Sequence, residues 1–227
     1  MGSFVRMPEI ILASASPRRA ALLTQIGLPF RLVPSTLDEN GACLRRSRRL
    51  PVRRQTGGRQ AWPESPSEDF EARACHLARA KAEEVATRIG RGLVIGADTI
   101  VVCEGIAFGK PRDGDEARTM LLRLAGRTHQ VITGVAVVEA ETGRAEVAGA
   151  VTAVRMRPFD PAEIAAYVAT GEPLDKAGAY AIQGRGALLV EGIEGDYSTV
   201  VGLPLVTLAE LLRRFGVSVW ETPQAQE

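Results

Sequence analysis

Short apolar runs and helix-period stretches take turns along the chain, separated by polar or glycine-rich steps. Glu9-Ile10-Ile11-Leu12-Ala13 reads as a short strand and leads straight into a helix. Ser16 stands at the N-cap of that helix, Pro17 at its first position and Gly27 just past its end. Pro29 to Pro34 alternates well enough for a second strand. Glu68 to Ile89 is strongly helical, with Phe70, Ala74, Leu77, Ala78, Ala82 and Val85 on or near one face and Lys81 bordering that stripe. Leu93 to Val102 is a β-branched and aliphatic run interrupted by Gly96-Ala97-Asp98-Thr99, which predicts a buried strand broken by a polar step.

The second half follows the same pattern. Asp113 to Leu124 is a helix with Asp113 and Glu116 spaced as a capping box. His129 to Val138 and Glu146 to Met156 form a long antiparallel hairpin about Glu141-Thr142-Gly143, with His129 in a structural place at a strand start. Asp160-Pro161-Ala162-Glu163 opens a helix that carries Ile164, Tyr167 and Val168 and stops at Gly171. An irregular stretch from Glu172 to Gly186 then presents Asp175, Lys176, Tyr180 and Gln183 among small residues, as loops that read ligands do. Ala187 to Ile193 and Tyr197 to Val201 read as further strands, and Leu203 to Phe215 as a closing amphipathic helix.

Composition narrows the field. The 227 residues are 45% apolar and 24% charged, as in an ordinary globular protein, and suit one compact domain or two small lobes sharing a cleft. A net charge of +1 gives no field that would draw DNA, RNA or an acidic membrane surface. Cys43, Cys75 and Cys103 make neither a disulfide framework nor a zinc pattern, which suits a reducing compartment. No run is long enough to span a membrane and no signal peptide opens the chain, so a cytoplasmic protein is expected. One region departs from the rest. From about 40 to 67 the arginines Arg45, Arg46, Arg48, Arg49, Arg53, Arg54 and Arg59 crowd among Pro, Gly and Ser, which predicts a flexible basic insertion and not core. It has no interleaved aromatic beyond Trp62 and no binding motif, so nucleic-acid binding is not expected of it.

Several charges stand where structure alone does not want them. Arg18 and Arg19 occupy the first turn of a helix, against its dipole. They make sense beside an anion held jointly by backbone N–H groups, the hydroxyls of Ser14 and Ser16 and the two guanidinium groups. Lys81 either snorkels from its helix or reaches a phosphate in a cleft. Asp98 either caps a turn between two short strands or faces a cation, a metal or a donor network, since a lone carboxylate in a core strand is costly. Asp38 and Glu39 are solvated, or hold a divalent cation near phosphates. Lys110 sits on a loop beside the central strand. Taken together, Arg18, Arg19, Lys81, Lys110 and Lys176 supply anion-binding groups, and Asp38, Glu39, Asp98 and Asp175 supply carboxylates. Metal-assisted cleavage of a polyphosphate needs that mixture.

Six stretches in order resemble the Maf family of nucleoside triphosphate pyrophosphatases: Ser14 to Arg19, Leu77 to Ala82, Gly96 to Thr99, Gly109-Lys110-Pro111, Asp175 to Gly184, and Val201 to Pro204. The resemblance runs from near residue 9 to near residue 216. It implies one domain over 1–227 with an α/β fold: a long, bent, mixed sheet flanked by helices, and two lobes around a cleft, similar to inosine triphosphatase. It implies hydrolysis of a nucleoside triphosphate to monophosphate and pyrophosphate with Mg²⁺ or Mn²⁺, and a homodimer; clearing non-standard nucleotides and trimming a normal pool would use the same chemistry. In such a protein Asp98 takes the proton from water, with Asp98 and Glu39 as metal ligands. Ser14, Ser16, Arg19, Lys81, Lys110 and Lys176 would bind phosphate. Arg18, Thr99 and Gln183 would govern substrate choice, and the pattern around Gln183 is similar to the branch acting on dTTP and UTP. Two other readings stay open: another or modified nucleotide as substrate, and a non-catalytic nucleotide-binding regulator of cell division.

Overall fold

The computed structural model describes residues 7–37 and 67–220. Its centre is strand β3 (Leu93–Cys103), which runs without a break through the polar step at Asp98. The expected interruption is absent because β5 (Thr128–Glu139) pairs antiparallel with β3 from Leu93↔Glu139 to Val102↔Gln130, and Asp98 lies opposite Gly134 within that ladder. Asp98 therefore caps no turn. On the far side of β5 lie β6 (Ala145–Met156), its hairpin partner, and β7 (Val190–Glu194). On the other edge of β3, β1 (Ile10–Leu12) pairs in parallel with Leu93 to Ile95 and with β2 (Arg31–Leu32), while β4 (Ile106–Phe108) pairs antiparallel with Val101 to Cys103. The result is a mixed seven-stranded sheet.

Alternation along β3 assigns its faces. Val94, Ile100 and Val102 point to helix α2 (Ser67–Ile89), where they meet Ala74, Ala78, Ala82 and Val85. Two glycines let that helix come close. A Cβ at Gly96 would stand 2.1 Å from the Ala78 carbonyl oxygen, and one at Gly134 would stand 2.4 Å from the Cys75 nitrogen. The opposite face carries two separate cores. Leu93, Ile95 and Ala97 pack under α1 (Pro17–Gln25) and α6 (Leu205–Arg214). Val101 and Cys103 pack under α3 (Gly114–Leu124) and α4 (Pro161–Ala169). Between them, Gly96 to Ile100 have no strand partner on the β1/β4 edge among the described residues.

Local expectations fare unevenly. The α4 capping box is present in both directions, Asp160 to the Glu163 N–H and Glu163 to the Asp160 N–H. At α3 Asp113 caps through the N–H groups of Asp115 and Glu116, but the Glu116 carboxylate takes the Arg112 N–H instead of closing the box. Tyr197 to Val201 is not a strand. It is a short helix, α5 (Tyr197–Val201), capped by the Asp196 carboxylate on the N–H groups of Ser198 and Thr199 and ended by Gly202 at φ 119°. Four donors converging on Asp196, counting the two hydroxyls, outweigh the β preference of the residues that follow. Gly184 to Leu189 forms a 3₁₀ turn, and the strand begins only at Val190. The Arg-rich segment, Asp38 and Glu39 lie outside the described residues, except Ser67, where α2 begins.

His129 has the structural place its position suggested. It is 2% exposed, its Nε2 lies 2.8 Å from the Tyr180 hydroxyl, and the two rings meet edge-on. Among the described residues Nδ1 has no hydrogen-bond partner. Protonation would leave a buried N–H without an acceptor, and burial pulls the pKa down to about 4. The sign of the pH effect follows. The unfolded chain binds this proton near the ordinary value of 6.5 while the folded chain resists it, so stability present above 6.5 falls as pH drops towards 4. Thermal melts from pH 7.5 to 4.5 should show a shallower acid-side loss for His129→Gln than for wild type; equal slopes would contradict this.

Candidate active site

The gap in the sheet opens into a cleft of about 900 Å³. Its walls hold Ser14, Ser16, Arg18 and Arg19 from the β1–α1 turn, Lys81 from α2, and Asp98 and Thr99 from β3. Lys110 enters after β4, and Asp175, Lys176 and Gln183 come from the segment after α4. Every site residue expected from sequence that is described lines this one space. Residues up to 169 positions apart converge because β1 stops where the open stretch of β3 begins.

Asp98 and Lys81 meet at the floor. Lys81 Nζ donates to Asp98 Oδ1 at 2.7 Å, and both side chains are nearly buried. Neither reading of Lys81 as a snorkelling surface lysine nor of Asp98 as a turn cap survives this. The pair solves the problem of a carboxylate in a core strand by setting a cation on it from the facing helix. Both residues line the cleft.

Arg19 is tied into the wall. Its Nε donates to the Gly202 carbonyl at 2.7 Å, Nη1 to Ser14 Oγ at 3.2 Å and Nη2 to Thr99 Oγ1 at 3.1 Å. Thr133 donates its hydroxyl to the Thr199 carbonyl, so Thr99 is the donor in the 3.0 Å Thr99–Thr133 contact and offers its lone pairs to Arg19. A directed chain thus runs from the first turn of α1 through β3 and β5 to α5. Ser16 is the N-cap by position, but its side chain makes no capping bond, and the first turn of α1 has no acidic residue.

The third wall is one folded segment. Three 3₁₀ turns, Glu172–Asp175, Ala177–Ala179 and Gly184–Leu189, replace the irregular loop expected there. The Gly178 N–H donates to the Gly109 carbonyl, which docks this segment beside Lys110. Lys176 Nζ donates to Asp175 at 2.5 Å and to the Glu172 carbonyl at 2.7 Å. Burial raises the Asp175 pKa, but Lys176 and then Arg18 outweigh it and hold the carboxyl below its usual range. The Gln183 amide makes no side-chain hydrogen bond among the described residues, and it lines the cleft.

Arg73, Arg112 and Leu77 also line the cleft and were not anticipated. Arg73 lies two helical turns before Lys81, with Leu77 between them, so an i, i+4, i+8 reading of α2 from Lys81 would have found it.

A divalent metal is testable against these side chains. No group of three or more His, Cys, Asp or Glu side chains able to hold an ion occurs among the described residues. An all-protein cage is therefore not what these residues offer. Asp98 in a cleft lined by cationic side chains fits the other mode, in which Mg²⁺ takes one or two carboxylates and completes its shell from substrate phosphates and water.

A mixed α/β fold whose cleft joins an arginine-bearing helix start, three lysines and a paired carboxylate defines an α/β protein with a pocket suited to polyanionic small molecules. Residues 9–215 match the family of Maf-like proteins, and the chain belongs to that family. It is 54% identical to a dTTP/UTP pyrophosphatase of Moorella thermoacetica, over 94% of this chain and 98% of that one. It is 46% identical to dTTP/UTP pyrophosphatases of Pelotomaculum thermopropionicum, over 94% of this chain and 100% of the relative, and of Dictyoglomus turgidum, over 93% and 98%. A solved nucleoside-triphosphatase, or dITP/XTP pyrophosphatase, of Mycobacterium abscessus aligns at TM-score 0.35 and 16% identity over 66% of this chain and 75% of that one, a likeness too low to bear on the argument. No helix among the described residues is long and apolar enough to cross a membrane.

Proposed function

We propose that the chain hydrolyses dTTP and UTP to the nucleoside monophosphate and pyrophosphate. The observation that carries the mechanism is the 2.7 Å Lys81–Asp98 pair at the open stretch of β3, inside a cleft lined with cations. Asp98 accepts the proton of a water whose oxygen bonds to the α-phosphorus, and the bond from that phosphorus to the β-bridging oxygen breaks, releasing pyrophosphate. Lys81 holds the carboxylate in place through its 2.7 Å bond to Oδ1. Ser14, Ser16, the N–H groups at the start of α1, Arg18, Lys110 and Lys176 face the phosphates, and Arg19 holds that wall in shape. A Mg²⁺ or Mn²⁺ ion held by Asp98, with Glu39 as a second ligand, would offset phosphate charge. Gln183 presents an amide that pairs with donor and acceptor edges of a pyrimidine alike. Thr99 contributes to substrate choice through Arg19, because its hydroxyl is committed there.

The relatives' shared activity supports the pyrimidine assignment, and their coverage of nearly the whole chain supports its transfer. We place the enzyme in the cytoplasm, where Cys75 and Cys103 would stay free thiols, as they are here. Pyrophosphate release should be measured over dTTP, UTP, CTP, the purine triphosphates and 7-methyl-GTP, with Mg²⁺, Mn²⁺ or chelator. The expected result is metal-dependent release, fastest from dTTP and UTP, with Gln183→Ala narrowing the gap between these and the rest. A preference for another base overturns the reading of Gln183. No release from any of them overturns the enzymatic reading.

A further inference from the structure

Lys176 and Gln183 reach the cleft from one segment, and one side chain closes the base of that segment. Glu172 opens it, and Arg185 and Gly186 end it. The Glu172 carboxylate accepts the Arg185 N–H at 3.1 Å through Oε2 and the Gly186 N–H at 3.0 Å through Oε1. The Tyr167 hydroxyl donates to Oε1 at 2.9 Å, and the same hydroxyl accepts the Ala181 N–H at 3.3 Å. The Glu172 backbone carbonyl takes Lys176 Nζ. Space around the carboxylate is tight: a Cβ at Gly184 would stand 2.8 Å from Oε2, and one at Gly186 would stand 2.5 Å from the Tyr167 hydroxyl.

We propose that Glu172 is the positioning residue of the substrate-reading loop: by clasping residues 185 and 186 it sets where Lys176 and Gln183 stand in the cleft. The inference rests on the functional reading above only for what those two residues do. Three donors converge on the carboxylate, so the position demands a group that only accepts. Burial pushes its pKa up, and the Gly186 and Arg185 N–H groups, the Tyr167 hydroxyl and Lys176 more than offset that, so it stays ionised. The clasp lies at one end of the loop. The Tyr180 hydroxyl on His129 and the Gly178 N–H on Gly109 fix its middle to the sheet and to the Lys110 loop. Gln183, close to the clasped residues and with no side-chain bond of its own among the described residues, depends on the clasp most directly.

Glu172→Gln tests this, because an amide keeps the shape but turns an NH₂ towards at least one of the donors. Hydrogen exchange followed by mass spectrometry should show faster exchange over residues 176–186, with β5 unchanged. KM for dTTP should rise about tenfold or more, as expected for losing one hydrogen bond to a charged acceptor. kcat should change far less, and the preference for dTTP over CTP should shrink. Glu172→Asp should restore part of both, and Tyr167→Phe, which takes one donor from Glu172 and the acceptor from the Ala181 N–H, should give a change of the same kind. Unchanged exchange in the loop, exchange raised equally across the sheet, or a fall in kcat at constant KM would each overturn the proposal. A wild-type protein inactive on dTTP would sink the functional reading alone, since the exchange pattern reports the clasp without any substrate.

Discussion

Asp98→Asn should lower turnover of dTTP by about 10²–10⁴-fold while leaving KM within a few-fold of wild type. The substitution keeps size and shape, so the cleft stays as it is. What goes is the negative oxygen that takes the proton and receives Lys81 at 2.7 Å. Stability should fall as well, by less than the roughly 3–5 kcal/mol of a fully enclosed pair, because this pair borders the cleft and water reaches it. Steady-state kinetics beside a thermal melt separates the two effects. A variant that loses thermal stability and keeps its turnover would remove Asp98 from the chemistry.

The second large effect is expected at a residue that has no side chain of its own. Gly96→Ala puts a methyl group 2.1 Å from the Ala78 carbonyl oxygen and 3.0 Å from the Ala82 nitrogen. Both are backbone atoms of a helix that spans the central strands, so neither can swing aside as a flexible side chain would. The helix must back away from β3, at a cost of about 3 kcal/mol, which lowers Tm by roughly 6–12 °C in a protein of this size. Lys81 lies between Ala78 and Ala82 in sequence and moves with them. Activity should therefore fall by more than the unfolded fraction explains, because the Lys81–Asp98 distance opens. Differential scanning calorimetry and kinetics on the folded protein check this; wild-type Tm and activity together would mean that the helix does not rest on Gly96.

These two positions also show what the chain reveals before folding. Asp98 stood out because a carboxylate in a core strand needs a partner, and the partner proved to be Lys81, the cation already marked on the facing helix. The hairpin, the α4 capping box and the basic start of α1 were legible for the same reason: period, caps and turn chemistry are local. At Gly96, within the polar step, the backbone of α2 takes the room that a side chain would fill. Elsewhere one local signal overrules another. Tyr197 to Val201 carries β-branched residues, and Asp196 with Gly202 nonetheless winds it into α5. Arg18 and Arg19 look alike in sequence. In the fold Arg19 is spent on Ser14, Thr99 and Gly202, whereas Arg18 lies near enough to Asp175 and Tyr167 to act on their ionisation. Glu172 could not be found at all, since its partners are backbone N–H groups 13 and 14 residues away and a tyrosine five residues back.

The most direct test of the proposed reaction is to identify its products. Wild-type protein incubated with dTTP and Mg²⁺ should yield dTMP and pyrophosphate in equal amounts by ³¹P NMR, with no dTDP and no orthophosphate, and Asp98→Asn should leave dTTP intact over the same interval. Formation of dTDP and orthophosphate would move the attack away from the α-phosphorus and contradict the account of the cleft.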